Sequence, residues 1–93
     1  MKVKCVRVPP YNYDVRVDGK SIGGVQKQLF YGERDGERIW WGLIHDPVPP
    51  EVLTDYETAN KWFSDHYTGS IDATRREAVA SLLAYAKKEG GEQ

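Results

Sequence analysis

The C-terminal segment 74–89 constrains the fold more than any other stretch, because it has the pattern of a helix with one buried face. Its apolar positions recur at i, i+3, i+4 and i+7, at Val79, Leu82, Leu83 and Ala86. Thr74 and Glu77 have the spacing of a capping box at its start. Such a stripe must be covered, so the rest of the chain has to supply an apolar surface, which we expect to be a small antiparallel sheet.

A hairpin is the clearest part of that sheet. Residues 11–17 alternate, with tyrosines and valines on one face and Asn12, Asp14 and Arg16 on the other. Asp18-Gly19 follows, and this dipeptide favours a two-residue type I′ turn. The second strand of the hairpin then covers residues 20–31.

A two-residue turn sets the register of this hairpin. It pairs Val17 with Lys20, Val15 with Ile22, and Tyr13 with Gly24. Further along the second strand, Val25, Leu29 and Tyr31 have the opposite parity to Ile22. Since one extra residue reverses the facing of all that follow, we expect a bulge at Gly23-Gly24.

Two more strands are predicted, one on each side of the hairpin in sequence. Residues 38–44 are apolar on both faces, which indicates a central strand or one covered on both sides. Residues 1–8 form a short first or edge strand that ends at Pro9-Pro10. Its lone Cys5 excludes an intramolecular disulfide and a cysteine zinc cluster, and the alternation around it predicts a small core residue.

A second helix is predicted over about residues 55–67. Thr54 and Glu57 have capping-box spacing, and Ala59, Trp62, Phe63 and His66 form an apolar stripe. The fold class is therefore α+β in one domain, residues 1–93. We expect a three- or four-stranded antiparallel β-meander with two helices, the C-terminal helix packed on one sheet face.

Composition describes an ordinary globular protein: 93 residues, 40% hydrophobic, 29% charged, net charge −1. This balance gives no strong attraction to nucleic acid or to an anionic membrane. The chain has no apolar run long enough to span a membrane and no signal-peptide pattern, so we expect a cytoplasmic protein without a membrane partner. Residues 1–28 carry six basic and two acidic groups, whereas residues 29–66 carry three basic and eight acidic groups. This division would suit two binding faces, but such charges most often only solvate a surface and pair across it.

No catalytic or metal constellation emerges from the sequence. His45-Asp46 and Asp65-His66 could bind a divalent cation if they met, but there is no third histidine. Ser64, Asp65 and His66 read like a triad, yet adjacent helical side chains diverge and cannot converge on a substrate. We therefore predict a non-enzyme with no catalytic residue, no metal site and no cofactor.

The aromatic strands carry the functional prediction. We expect the two helices to cover only one sheet face, so Trp40 or Trp41 must point to the other face. The predicted binding residues combine these aromatics with basic neighbours: Trp40, Trp41, Tyr31, Arg16, Lys20, Lys27 and Arg38. Three explanations of this second face stay open. The Pro-rich loop, the first strand or a twin subunit covers it; or it is a protein-binding hot spot; or it stacks bases and holds phosphates.

Three segments carry a resemblance: YDVRVDGKSIGGVQK, RIWWGL and TRREAVASLL. Together they resemble short actinobacterial and phage proteins of unknown function. More distantly they resemble the three-strands-plus-helix arm-binding domain of tyrosine recombinases, whose sheet enters the DNA major groove. The resemblance implies a DNA-facing role for Arg16, Lys20 and Lys27 alone, and residues 45–73 have no counterpart in that domain.

The function predicted from these features is that of a small non-catalytic binding or regulatory protein of phage or bacterial type. It would act through an aromatic sheet or helix surface on a protein partner or on a second copy of itself. The alternative is a nucleic-acid-binding domain that uses the basic, aromatic face of the sheet.

Overall fold

In the part of the chain that the structure describes, five strands make one antiparallel sheet with a helix on each face, which is an α+β fold. The computed structural model describes the backbone of residues 2–9, 11–32 and 36–90, and their side chains except those of 29–32, 36–38, 70–71 and 89–90. The strands are β1 Val3–Val8, β2 Asn12–Val17, β3 Lys20–Gly32, β4 Gly36–Ile44 and β5 Tyr67–Asp72. The helices are α1 Tyr56–Asp65 and α2 Arg75–Gly90, and a 3₁₀ turn, Pro50–Thr54, precedes α1.

The strands follow one another across the described sheet in sequence order, and each pairs antiparallel with its neighbour. The predicted meander and fold class are confirmed, but there is one strand more than expected. The sequence predicts no strand for residues 67–72, which lie at and beyond the end of the helix expected over about residues 55–67. They form β5 instead, where the ring of Tyr67 lies in the space that the missing side chain of Gly42 leaves.

The hairpin turn is as predicted, but the register beyond it differs. Val17 pairs with Lys20, whereas Val15 pairs with Gly23 and Tyr13 with Val25. The predicted pairs Val15–Ile22 and Tyr13–Gly24 are therefore wrong by one residue. The extra residue lies one position before the expected bulge, between Ser21 and Gly23, where Gly23 has a φ of 143° that other residues rarely adopt.

The bulge places consecutive glycines under opposite helices. A side chain at Gly23 would meet the Ile44 carbonyl oxygen and Leu82 of α2, and one at Gly24 would meet Phe63 of α1. Neighbouring residues of a strand point to opposite faces, so α1 and α2 cover different faces of the sheet. The prediction that the two helices share one face is wrong.

Each face has its own apolar cluster. On the α2 face, Val15, Val25 and Leu43 are buried together with Ala78 and Leu82. On the α1 face, the cluster consists of Ile44, Val48 and Phe63. Among the stripe residues predicted for α2, only Leu82 is fully buried, whereas Val79, Leu83 and Ala86 are half-buried. Ala78, which was not part of the predicted stripe, is also fully buried.

The helix caps agree with the sequence at one helix and not at the other. The Glu77 N–H donates to Thr74 Oγ1 at 3.1 Å, and the Thr74 N–H donates to Glu77 Oε1 at 3.2 Å, which confirms the capping box of α2. At α1 the N-cap is Asp55, whose carboxylate accepts the Thr58 N–H at 3.0 Å. The predicted Thr54–Glu57 box is wrong because the Thr54 hydroxyl donates to the Glu51 carbonyl of the 3₁₀ turn.

Two further corrections concern β1 and β2. Cys5 is exposed on the outer strand, so it is no core residue. Asn12 and Asp14, expected on an ordinary polar face of β2, are completely buried beneath α1 and the loop that precedes it.

Candidate functional site

The candidate site lies on the α2 face beside the first turn of α2, where the helix leaves part of the sheet uncovered. A groove of about 710 Å³ runs there between the sheet and the helix start. A pocket of about 280 Å³ adjoins it on the β1 side and shares three of its residues. We call the two together the basic groove, lined by Cys5, Arg7, Tyr11, Tyr13, Lys27, Ile39, Trp41, Ala73, Thr74, Arg75, Arg76 and Val79.

The capping box of α2 fixes the helix side of this groove. Because Thr74 and Glu77 hold each other's backbone N–H groups, the first turn has one defined orientation. Arg75 then lies over β2, with its guanidinium carbon 4.4 Å from the centroid of the Tyr13 ring. Arg76 is exposed on the same turn.

The aromatic floor of the groove comes from neighbouring strands. Tyr13 and Trp41 have ring centroids 5.9 Å apart and planes at 56°, a tilted arrangement that aromatic pairs favour. Both rings are half-buried against the α2-face cluster, so the fold holds them in place while part of each stays accessible. At the margins, Tyr11 is 49% exposed and Ile39 is 42% exposed, which adds apolar area.

The charge of the groove has one sign. Its described lining residues include four cations, Arg7, Lys27, Arg75 and Arg76, and no carboxylate. The nearest acidic residue in the sheet register is Asp72, which pairs with Trp41 across β4 and β5. Because the whole chain has a net charge of −1, this cluster is a local feature of the surface and not a consequence of a basic protein.

The structure separates the binding residues that the sequence grouped together. Trp41 and Lys27 are paired across β3 and β4 and both line the basic groove. Trp40 and Arg16 belong to the opposite, α1 face, since they alternate with Trp41 and with Val15. Tyr31 and Arg38 lie on β3 and β4, and their side chains are outside the described part of the chain.

Lys20 belongs to a second groove, at the hairpin end of the sheet. This groove of about 810 Å³ also contains Arg16, His45 and Tyr85. Arg16 Nε donates to Asp14 Oδ2 at 2.8 Å, and the His45 ring stacks on Tyr85 at 3.9 Å between centroids. Since its arginine is already neutralised, this groove is a weaker candidate for an anionic ligand than the basic groove.

Sequence reasoning missed Arg7, Arg75 and Arg76 as site residues and did not include Tyr13 among the predicted binding residues. A signal for the two α2 arginines was present. The helix dipole disfavours cations in the first turn, so a pair of arginines directly after an N-cap contradicts the local preference. Residues that break a local rule are often functional.

A buried polar network lies beneath α1 on the other face. Asn12 Nδ2 donates to Asn60 Oδ1, and Gln26 Nε2 donates to Asn12 Oδ1 at 2.9 Å. No buried side-chain polar atom in the described residues lacks a partner. This network is therefore fully used in fixing α1 on the sheet.

The two histidines have structural contacts. The His66 ring stacks on Trp62 at 4.2 Å between centroids, and its Nδ1 lies 2.8 Å from the Trp62 carbonyl oxygen. His45 stacks on Tyr85. Within the described ranges, no three or more histidine, cysteine, aspartate or glutamate residues are grouped as metal ligands would be.

Comparisons with known proteins identify no relative. The chain matches no known protein family, no curated protein and no solved structure. The resemblance to short phage and actinobacterial proteins and to recombinase arm-binding domains stays a prediction. No helix in the described part of the chain has the length and hydropathy needed to cross a membrane.

Proposed function

We propose that this chain is a small non-catalytic binding protein that holds a protein partner in the basic groove. The observation that supports it is the cluster of Arg75, Tyr13 and Trp41 at the start of α2, where a cation and two aromatic rings meet on an accessible surface. Cytoplasmic location and a phage or bacterial origin stay predictions.

A protein partner agrees with the kinds of residue present. Tryptophan, tyrosine and arginine dominate the binding energy of protein interfaces, especially where they are held rigidly. Here, Tyr13 and Trp41 are fixed by the core beneath them, and Tyr11 and Ile39 extend the apolar area. The surrounding cations favour a partner that brings carboxylates to the same place.

Single-stranded nucleic acid is the second candidate, because cations beside aromatic rings are also how proteins hold phosphates and stack bases. The geometry favours it less. One face of the Tyr13 ring is covered by Arg75, and Trp41 is tilted against the same ring, so Tyr13 offers little free ring area for stacking. The overall charge of −1 also gives no long-range attraction to a polyanion.

Cross-linked capture from the native host tests the proposal. The bait is the folded chain, with Arg75→Ala and Trp41→Leu as groove variants and Trp40→Leu as the matched control on the opposite face. We expect one protein that the bait and the control retain after nuclease treatment and that both groove variants lose. Circular dichroism establishes that all baits are folded.

Two results contradict the protein-binding proposal. Equal capture by the groove variants would place the binding surface elsewhere. Loss of all retained material after nuclease treatment, with affinity that falls steeply as salt rises, would favour the nucleic-acid candidate.

A further inference from the structure

The outer strand β1 has the geometry to accept another strand. Within the described residues it pairs with β2 alone, over six consecutive positions without a register shift. An edge strand presents a row of N–H and C=O groups that its sheet does not use. The opposite edge, β5, has a register shift opposite β4 and a positive φ at Gly69, so its edge is irregular.

The side chains of β1 connect this edge to the basic groove. Val3, Lys4, Cys5 and Arg7 are all exposed. Alternation along the strand puts Arg7 and Cys5 on the α2 face, where they line the basic groove, and Lys4 on the other face. The edge therefore has a cation on each face and is continuous with the proposed binding surface.

We propose that an extended acidic segment of the protein partner adds to β1 as a further strand of the sheet. This inference rests on the proposed function and specifies how the partner binds. In such β-augmentation, main-chain hydrogen bonds supply affinity and alternate side chains supply specificity. Acidic side chains on one face of the added strand meet Arg7 at the mouth of the groove, and those on the other face meet Lys4.

Charge selects this occupant over two others. A second copy of the chain would bring a second Lys4 and Arg7 to the joined edge, and β1 has no carboxylate to pair with them. A nucleic acid has no peptide groups to pair with the free edge. An acidic polypeptide satisfies both the edge hydrogen bonds and the cations.

The test uses a short synthetic peptide, about eight residues long, in which pairs of adjacent glutamates alternate with threonine–valine pairs, so that each face of an added strand carries carboxylates. One control carries N-methyl groups on alternate amides, which removes the donors along one edge but keeps every charge. A second control replaces glutamate by lysine, and an oligothymidylate provides the nucleic-acid comparison. Binding to the isotope-labelled full chain is followed by NMR shifts and by amide hydrogen exchange.

We expect the acidic peptide to bind and to slow exchange of those β1 amides that face away from β2 by about tenfold or more. The N-methylated and lysine peptides should not produce this protection. Lys4→Glu and Arg7→Glu should each weaken binding about fivefold. Lys61→Glu is the charge-matched control, because Lys61 lies on α1 with its side chain 78% exposed, and we expect it to leave the affinity unchanged.

Each alternative result overturns the strand-addition proposal in a recognisable way. Equal binding of the N-methylated peptide would show charge attraction without strand pairing. Binding of the oligothymidylate alone would assign the surface to nucleic acid. Absence of binding and of β1 protection, combined with a captured partner that still depends on Arg75 and Trp41, would reject strand addition and leave the proposed function standing.

Discussion

Arg75, the first residue of α2, lies with its guanidinium carbon 4.4 Å from the centroid of the Tyr13 ring on β2. Tyr13 in turn contacts Trp41 on β4. The three side chains thus join the helix start to two strands that are not neighbours in the sheet. This contact offsets the unfavourable position of a cation at a helix N-terminus, since both effects are of similar size, about 0.5–1 kcal/mol.

That balance predicts the effect of Arg75→Ala on the isolated protein. Loss of the cation–π contact and relief of the dipole penalty should nearly cancel, so the free energy of unfolding should change by less than about 1 kcal/mol. The ring resonances of Tyr13 should nevertheless shift in NMR spectra. Arg76→Ala, the matched control one residue on, should leave those resonances in place. A large loss of stability in urea unfolding, or unmoved Tyr13 resonances, would show that the contact is not formed in solution.

The docking of α2 depends on Leu82, which is fully buried between Val15, Val25 and Leu43. Leu82→Ala should lower the free energy of unfolding by about 2–5 kcal/mol, as truncations of buried leucines do. Leu83→Ala makes the same chemical change at a half-buried position and should have a clearly smaller effect. Chemical denaturation of both variants provides the comparison, and equal losses would contradict the observed orientation of the helix.

The sequence predicted the elements whose cause is local. The Asp18-Gly19 turn, the alternation of β2 and the Thr74–Glu77 box each depend on residues a few positions apart, and all three are found. β5 could not be predicted in this way. Its Tyr67 ring occupies the space over Gly42, a contact between residues far apart in sequence.

The binding site was only partly predictable for the same reason. Alternation alone separates Trp40 from Trp41, but which of them lies in a groove depends on the face that each helix covers. The expectation that both helices cover one face is wrong because an apolar stripe does not show which face of the sheet its helix packs on. The burial of Asn12 and Asp14 explains the error, since their polar side chains lie on the face that α1 covers.

The glycine pair in β3 allows a test of the two-faced packing. A Cβ at Gly24 would lie 2.5 Å from Phe63 Cε2 and 2.8 Å from the Tyr13 carbonyl oxygen. Gly24→Ala should therefore lower the free energy of unfolding by about 1–3 kcal/mol through overpacking, which thermal melting would show as a lower melting temperature. Gly69→Ala is the contrasting variant, because Gly69 has a φ of 87° but open space around it, and it should cost only about 1 kcal/mol from backbone strain. The reverse order of stabilities would contradict the position of α1.

Asp14 joins the hairpin to the loop before α1. Its completely buried carboxylate accepts hydrogen bonds from Arg16 Nε at 2.8 Å and from the Ser21 hydroxyl at 2.7 Å, and Ser21 Oγ accepts the Val48 N–H at 2.9 Å. Asp14→Ala should cost about 3 kcal/mol, the low end for breaking a buried ion pair, because Arg16 is partly exposed and can turn to water. Urea unfolding measures the loss, and Asp46→Ala, at an exposed loop position, is the control. A change below about 0.5 kcal/mol would show that this network does not stabilise the fold.

The N-cap of α1 predicts a specific response to acid. The hydroxyl of Thr58, followed by its backbone N–H, holds the pKa of Asp55 below its ordinary value. A carboxyl whose pKa is lower in the folded state stabilises the protein above the unfolded-state pKa, and this contribution is lost as the pH falls through the folded-state pKa. The variant Asp55→Asn keeps a capping oxygen that does not titrate. The difference in melting temperature between the natural chain and this variant should therefore be constant above about pH 5 and change only below about pH 4. Because every other carboxyl is common to both proteins, a difference that stays constant into strong acid would contradict the role of Asp55 as the charged cap.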